Sequence, residues 1–421
     1  MNIAVVSLII FAVIIILFVI DKLPMATTAI LGCVLMVIFG VCDFKTAFGQ
    51  FASSTVILTI GVMIIGAAIS ETGLAKAIGN WIVKVSRGNQ IILIIGTYLV
   101  SSAMSMFLTN SAVLAVFIPI IMGLAKSNSN IKSKNLIMPI AIGCVIGGAS
   151  TLVGSTQQMT AQGLLEEAGL RTFKTFDFTL IGGILIFVGL IYCLTIGRIL
   201  AKKIWGNRPE EEFESSKDDI EYPKWKMIVM AAIFVITVVF YITEWIPLAI
   251  TSSAAALLCI ILGLIKQKKA IASVNWDIVG RLAGCLGIGK ALEVSGGTAL
   301  IAKGFTKIVG TNINPFLLFC LLVLLVQVVS MFISNSTAIL IVLPILIAIA
   351  PGMGLNTYAY ALGITLASGV ALSCPLASST LGMSMVAGYK FNDYIKHNIF
   401  LDIIAYGLII LLVPLIYGLV L

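Results

Sequence analysis

Two stretches of this 421-residue chain carry the same polar residues in the same order. "SMFLTNSAVLAVFIPI" runs from Ser105 to Ile120 and "SMFISNSTAILIVLPI" from Ser330 to Ile345. Ser105 and Ser330, Asn110 and Asn335, Pro119 and Pro344 are each 225 residues apart. Asn and Ser compete with the backbone for hydrogen bonds and sit poorly inside helices. "LTNSA" and "ISNSTA" therefore read as turns that interrupt apolar helices. A helix starting at the Ser after such a turn aims free N–H groups and its positive dipole end into the turn, which makes an anion site. The carbonyls that end the preceding helix are free too. Beside Ser and Asn oxygens they can hold a hard cation such as Na+.

A second pair of interruptions follows the first. "GGASTLVGSTQQM" spans Gly147 to Met159 and "ALSCPLASSTLGM" spans Ala371 to Met383, with Gly154-Ser155-Thr156 and Ala377-Ser378-Ser379 each 223 residues apart. In hydrocarbon, a broken backbone persists only where it lines a cavity or is buried in protein. Kinked helices glued by Ser and Asn, or a Gly-rich crossing, would account for one such stretch. Matched copies in both halves favour a site built twice.

The elements that position these stretches are membrane helices. The chain is 60% hydrophobic and 10% charged, against about 25% charged for a soluble domain. Apolar runs of 17 or more residues recur along it, the mark of membrane-spanning helices rather than of a barrel. The first run, Ile3 to Ile20, lacks a basic flank and a small-residue cleavage site, so it reads as a retained helix. The net charge of +8 lies between apolar runs, where it orients the chain, and is no nucleic-acid signal. Eight cysteines stand singly, no CxxC occurs and His397 is alone. A disulfide framework or a Cys/His metal site is not expected, and small buried cysteines are.

Apolar segments are expected near 3–20, 24–42, 53–70, 90–107 with 111–125, 136–149, 159–166 and 178–201. After a charged stretch they resume near 227–243, 246–265, 275–293, 314–332 with 336–350, 356–372, 381–388 and 399–420. Segments 72–86 and 297–309 read as amphipathic connectors at the interface. "LPMATTAILG" from Leu23 resembles "IPLAITSSAA" from Ile246, and Gly73 aligns with Gly296. The expected fold is an all-α polytopic membrane protein of two inverted-topology repeats, each with about five crossings, a re-entrant hairpin and an unwound helix. Residues 1–203 form the first repeat, 204–226 a solvated cytoplasmic linker and 227–421 the second. Both termini outside is the orientation that puts most of the 26 Lys and Arg residues in the cytoplasm.

With these four stretches the chain resembles the divalent anion:sodium symporter family of the ion transporter superfamily. Its members carry a Ser-Asn-Thr motif at two opposed hairpin tips. Thr109-Asn110-Ser111 and Ser334-Asn335-Ser336 stand in those positions here. "GGASTLVGSTQQ" and "CPLASST" resemble the family's two unwound segments. The resemblance implies one Na+ on Ser105, Thr109, Asn110 and the Gly154 backbone, and a second on Ser330, Asn335 and the backbones of Ile333 and Ala377. It implies that the substrate anion meets Asn110, Ser111, Asn335 and Ser336, with Ser155 and Ser378 nearby. The chain departs from the family in having Ser for the Thr of both tips. It also has Thr156, Gln157, Ser379 and Thr380 where paired prolines are usual.

None of the four stretches contains Lys or Arg. Hydroxyls, amides, helix N-termini and bound Na+ would together neutralise the anion. Glu71, Arg281, Lys290 and Glu293 read as interfacial, snorkelling or paired (Arg281 with Asp277, Lys290 with Glu293). Trp81, Trp205, Trp225, Trp245 and Trp276 read as interface anchors. The expected function is Na+-coupled symport of a small anion, a di- or tricarboxylate or sulfate. The implied mechanism is an elevator, with 3–42 and 227–265 as a dimeric scaffold and 53–203 and 275–421 as the moving part. The expected location is the bacterial cytoplasmic membrane, with no organic cofactor. A proton-coupled or exchange transporter is the alternative. A membrane enzyme would need clustered His, Asp, Glu or Cys, which the repeats do not carry.

Overall fold

The computed structural model describes residues 3–20, 22–87, 89–127, 131–209, 222–309, 314–375 and 378–420. The described residues are helical throughout, with one isolated bridge between Leu355 and Val420. The first half contains α1 (Ile3–Ile20), α2 (Met25–Ile38), α3 (Phe44–Phe48), α4 (Ser54–Glu71), α5 (Leu74–Ser86), α6 (Gln90–Ser105), α7 (Asn110–Ser127), α8 (Lys134–Gly148), α9 (Thr156–Glu167), α10 (Thr179–Leu194) and α11 (Ile196–Trp205). The second contains α12 (Lys224–Thr243), α13 (Leu248–Ile261), α14 (Gln267–Ser273), α15 (Trp276–Val294), α16 (Gly297–Val309), α17 (Pro315–Ser330), α18 (Asn335–Ile349), α19 (Thr357–Gly369), α20 (Ser379–Ser384) and α21 (Phe391–Tyr417). Most of the expected linker, residues 210–221, lies outside the described residues.

The signals that start and stop these helices recur at the spacing of the repeat. Pro24 precedes α2 and Pro247 precedes α13, each fixing φ where the orphan N–H groups begin. Asn89 caps α6, its Oδ1 accepting from Ile91 N at 2.9 Å. Asn314 caps α17 by accepting from Phe316 N at 2.8 Å. Gly73 and Gly296 follow α4 and α15 with φ of 78° and 76°, a left-handed turn that glycine adopts without strain.

The packing is reciprocal as well. Helix α2 lies against α15 while α13 lies against α4, and α3 meets α15 while α14 meets α4. In the same way α6 and α8 pair as α17 and α19 do, and α18 packs on α9 as α20 does on α7. The two crossed contacts are equally close. A Cβ on Gly61 would lie 2.7 Å from Ser252 Oγ, and one on Gly284 would lie 2.8 Å from Ala29 Cβ. Gly61 and Gly284, and Ala29 and Ser252, are each 223 residues apart. Small residues let the backbones approach where hydrophobic burial between membrane helices offers little drive.

By length and composition, three helical stretches among the described residues can cross a membrane: Phe44–Glu71, Lys224–Thr243 and Phe391–Tyr417. Helices α10 and α11, bent by 47°, make a fourth if taken as one span. The remaining crossings expected from sequence rest on shorter apolar helices of 10–17 residues. Several of these are short because they end at a polar break. Helix α6, with 16 residues, is about 24 Å long and stops at Ser105.

Some sequence expectations are corrected. The run expected over 178–201 breaks at Thr195. The last helix begins at Phe391 rather than 399, because its polar first turns are buried and partnered. Short helices α3 and α14 were not expected. Trp205 is 1% exposed, its Nε1 donating to Asn135 Oδ1 at 3.0 Å, and is no interface anchor. The other four tryptophans are exposed. Lys290 pairs with Glu293 as expected and also with Glu167, each at 3.1 Å. Glu71 pairs with Lys269 at 2.8 Å. Arg281 does not pair with Asp277 among the described residues.

Candidate functional site

Both hairpin tips and both unwound stretches border one cavity of about 390 Å³. Helices α7 and α18 begin at Asn110 and Asn335, one residue before the Ser expected from sequence. Helix α9 begins at Thr156 and α20 at Ser379. The cavity wall is the first turn of each: Thr109, Asn110 and Ser111; Ser155, Thr156 and Gln157; Ser334, Asn335 and Ser336; Ser378, Ser379 and Thr380. Free N–H groups and positive dipole ends gather there.

The tips and breaks are clasped across the repeat. Ser111 Oγ lies 2.7 Å from Ser379 Oγ and 3.3 Å from Thr380 Oγ1. Thr156 Oγ1 lies 2.8 Å from Ser336 Oγ. Ser111 and Ser336 are counterparts, as are Thr156 and Ser379, so each tip of one half holds the break of the other. These partners are hydroxyls at positions where the family resemblance has prolines, which offer no donor.

All six residues expected to meet the substrate, Asn110, Ser111, Ser155, Asn335, Ser336 and Ser378, line the cavity. Of the expected Na+ ligands, Thr109, Asn110, Gly154 and Asn335 line it too. Ser105 and Ser330 are fully buried behind the tips. Ile333 is half-buried beside the second tip and does not reach the cavity wall. Ala377 lies outside the described residues.

At the first tip, Ser105 Oγ donates to Asn110 Oδ1 at 3.1 Å and Asn110 Nδ2 donates to Ser155 Oγ at 3.3 Å. The first break presses directly on this chain. A Cβ on Gly148 would fall 2.1 Å from Asn110 Oδ1. A Cβ on Gly154 would fall 2.6 Å from both the Ser105 and the Gly148 carbonyl oxygens. Two main-chain carbonyls therefore converge beside the Asn110 amide, an all-oxygen surrounding that suits a hard cation. At the second tip, Ser330 Oγ and Asn335 Oδ1 are buried without a hydrogen-bond partner among the described residues. Such groups are rare in folded proteins and call for an ion, water or ligand.

Each break is anchored differently. In the first, Leu152 N donates to Thr175 O at 3.0 Å and Thr179 Oγ1 to Ser150 O at 2.8 Å. In the second, Leu372 N and Ser373 N both donate to the buried Asp402 carboxylate at 2.9 Å. Asn398 Nδ2 donates to Leu372 O at 2.8 Å. Of the two glutamines, Gln157 faces the cavity, while Gln158 turns away to donate to Ala149 O at 2.9 Å.

The cavity also holds residues that the sequence reading placed elsewhere. Asn275, Asp277 and Arg281 line it from the first turns of α15. Asp277 Oδ1 accepts from Ala26 N at 3.1 Å, capping α2. Arg281 Nη1 donates to Ser334 Oγ at the second tip and to Met25 Sδ, both at 3.0 Å. The signal was present in the sequence: an ionisable residue within an apolar segment marks a functional position.

The chain is similar to known transporters. An uncharacterized transporter of Synechocystis is 22% identical, over 98% of this chain and 96% of that protein. The inorganic phosphate transporter PHO87 of Saccharomyces cerevisiae is 25% identical, over 77% of this chain but 36% of its own length. Among solved structures, the YdaH transporter of Alcanivorax borkumensis superposes with a TM-score of 0.67 over 89% of this chain and 88% of that one, at 14% identity. That likeness shows a shared polytopic fold. Similar transporters and the apolar helices together mark an integral membrane protein. The profile of the citrate transporter family, CitMHS, matches residues 15–312 and 238–421. The chain belongs to that family of secondary transporters within the ion transporter superfamily.

Proposed function

We propose that the protein is a Na+-coupled symporter of a small oxyanion, with the site residues and ion roles of the divalent anion:sodium symporter family. The observation that carries this reading is the single cavity walled by two opposed tips and two unwound breaks, with Ser330 Oγ and Asn335 Oδ1 buried beside it unpartnered. Na+ at each tip supplies positive charge next to helix N-termini, and an anion then completes the cavity. Asn110, Ser111, Ser155, Asn335, Ser336 and Ser378 present hydroxyls, amides and N–H groups to it. Ser105, Thr109, Asn110 and Gly154 hold one ion. Ser330, Ile333, Asn335 and Ala377 hold the other.

Candidate substrates are di- and tricarboxylates and sulfate. Citrate is favoured by the family's description, and phosphate joins the set through the yeast relative. The crossed contacts of α2 with α15 and α13 with α4 are the sliding surface of an elevator, with 3–42 and 227–265 as the dimeric scaffold. The repeats insert with opposite topology in the bacterial cytoplasmic membrane, both termini outside. Uptake of labelled citrate, succinate, sulfate and phosphate into proteoliposomes, with Na+ against K+ outside, tests the reading. Na+-dependent uptake of one of them is expected. Uptake unchanged by Na+ removal would instead favour proton coupling or exchange.

A further inference from the structure

We propose that Arg281 is the charged anchor of the substrate, pairing through its guanidinium fork with one ionised oxyanion group beside the second hairpin tip. This inference rests on the anion-transport reading above and narrows it. Arg281 stands on α15 at the cavity wall and is only 8% exposed. A buried guanidinium normally faces a carboxylate, because an unpaired buried charge is strongly unfavourable. Here no carboxylate forms an ion pair with it among the described residues. Asp277, one turn earlier, is occupied in capping α2.

The neighbours that Arg281 does touch are neutral. Nη1 reaches Ser334 Oγ and Met25 Sδ, and among the described residues the other guanidinium nitrogens meet no acceptor. Those nitrogens are not among the fully buried unpartnered atoms, and Arg281 lines the cavity. They are the donors that match two oxygens of one carboxylate, sulfate or phosphate group.

The charge also breaks the two-fold pattern. At the 223-residue offset that aligns Gly73 with Gly296, the counterpart of Arg281 is the buried Leu58. The first half offers hydroxyls and amides to its side of the cavity, and the second half offers the same groups plus the Arg281 cation and the Asp277 carboxylate, the latter engaged by Ala26 N. A substrate therefore enters in one orientation, its most strongly ionised group toward Ser334, Asn335 and Arg281.

The test is a thermal-shift titration of purified full-length protein with citrate, succinate, sulfate and phosphate, in the presence and absence of Na+. It compares wild type, Arg281→Lys and Arg281→Gln. Lys and Gln can both donate to Ser334, but only Lys keeps the charge. Arg281→Gln is expected to weaken the anion response roughly 30-fold or more, and Arg281→Lys to fall between it and wild type. Na+-dependent stabilisation persists in all three. Equal losses for Lys and Gln would mean that the positive charge contributes nothing to anion binding, and a wild-type response in Arg281→Gln would remove the anchor altogether; either overturns the assignment of a charged anchor while the anion reading stands. Should Arg281→Gln not fold, Arg281→Lys decides alone: an unweakened anion response overturns the fork. A wild-type protein that answers to none of the four anions overturns the anion reading itself, and this assignment with it.

Discussion

At the tip between α6 and α7, Ser105 donates to Asn110, which donates onward to Ser155. At the tip between α17 and α18, the equivalent Ser330 and Asn335 leave Ser330 Oγ and Asn335 Oδ1 buried with no partner. The same residues at the same spacing thus reach different ends. The break of the same half differs between the two tips. Gly148 has no Cβ and lets the first break press to within contact of Asn110, whereas its counterpart is Ala371. The second tip instead ties outward: Ser334 Oγ lies 2.7 Å from Thr337 Oγ1 and accepts from Arg281. One tip is organised by its own hydrogen bonds, and the other leaves Ser330 Oγ and Asn335 Oδ1 without a partner among the described residues. Under the proposed function, an ion at the first tip displaces the Ser105–Asn110 bond, and an ion at the second displaces none.

The largest effect is expected from Gly148→Ala. The new methyl must push Asn110 aside, destabilising the protein by about 1–3 kcal/mol and removing the first tip's Na+ response. Ala371→Gly should change stability by less than about 1 kcal/mol. Chemical denaturation in detergent measures both, and similar losses would break the contrast between the tips.

Next come the asparagines. Asn110→Ala strands Ser105 Oγ and Ser155 Oγ, and about 1–3 kcal/mol of stability should go with it in Na+-free buffer. Asn335→Ala, whose Oδ1 is already unpaired, should leave Na+-free stability nearly unchanged. Both should lose Na+-dependent stabilisation in a thermal-shift assay. Full Na+ response in both variants would sink the assignment of the ion sites.

A smaller version of the same comparison uses the serines. Ser105→Ala removes a made hydrogen bond and should destabilise by about 0.5–1.5 kcal/mol. Ser330→Ala removes an unmet one and should be neutral or slightly stabilising without Na+. The smallest effects belong to the clasps. Ser111→Ala and Ser336→Ala should each lose no more than about 1 kcal/mol, and by similar amounts, because their closest clasps are alike at 2.7 and 2.8 Å and the second contact of Ser111, to Thr380, is long at 3.3 Å. A clear inequality between them would show that the tips differ beyond their ion ligands.

The tips, breaks and helix order were legible because each is a polar interruption of a greasy background, written twice. Local signals sufficed there: Pro24, Asn89 and Gly73 announce the same helix ends as Pro247, Asn314 and Gly296. Residues whose role comes from tertiary placement were not legible. Arg281 read as snorkelling until the register of α15 put it at the cavity wall. Asn398 and Asp402 fall at the edge of the segment expected near 399–420. They are buried because they grip the second unwound stretch, a partnership 26 to 30 residues distant that no periodicity reveals. Trp205 likewise sits at a segment end yet packs against Tyr389 and His397 from the far end of the chain. The difference between the tips was hidden for another reason. The breaks differ there by one methyl group, Ala371 for Gly148, and the closeness of Gly148 to Asn110 appears only when the break faces its tip.

The crossed packing of α4 with α13 and of α2 with α15 has a consequence for how the protein is made. Neither half can bury its own small-residue face, because Gly61 and Ala29 both wait for partners in the other half. Translation of residues 227–421 takes roughly 10–40 s at ordinary synthesis rates. For that interval the first hairpin stands in the bilayer with its polar tip facing no opposing break. A nascent chain in that condition needs shelter from the insertion machinery until α18 and α20 arrive. Truncations after α11 should therefore be degraded rather than accumulate as a stable half-transporter.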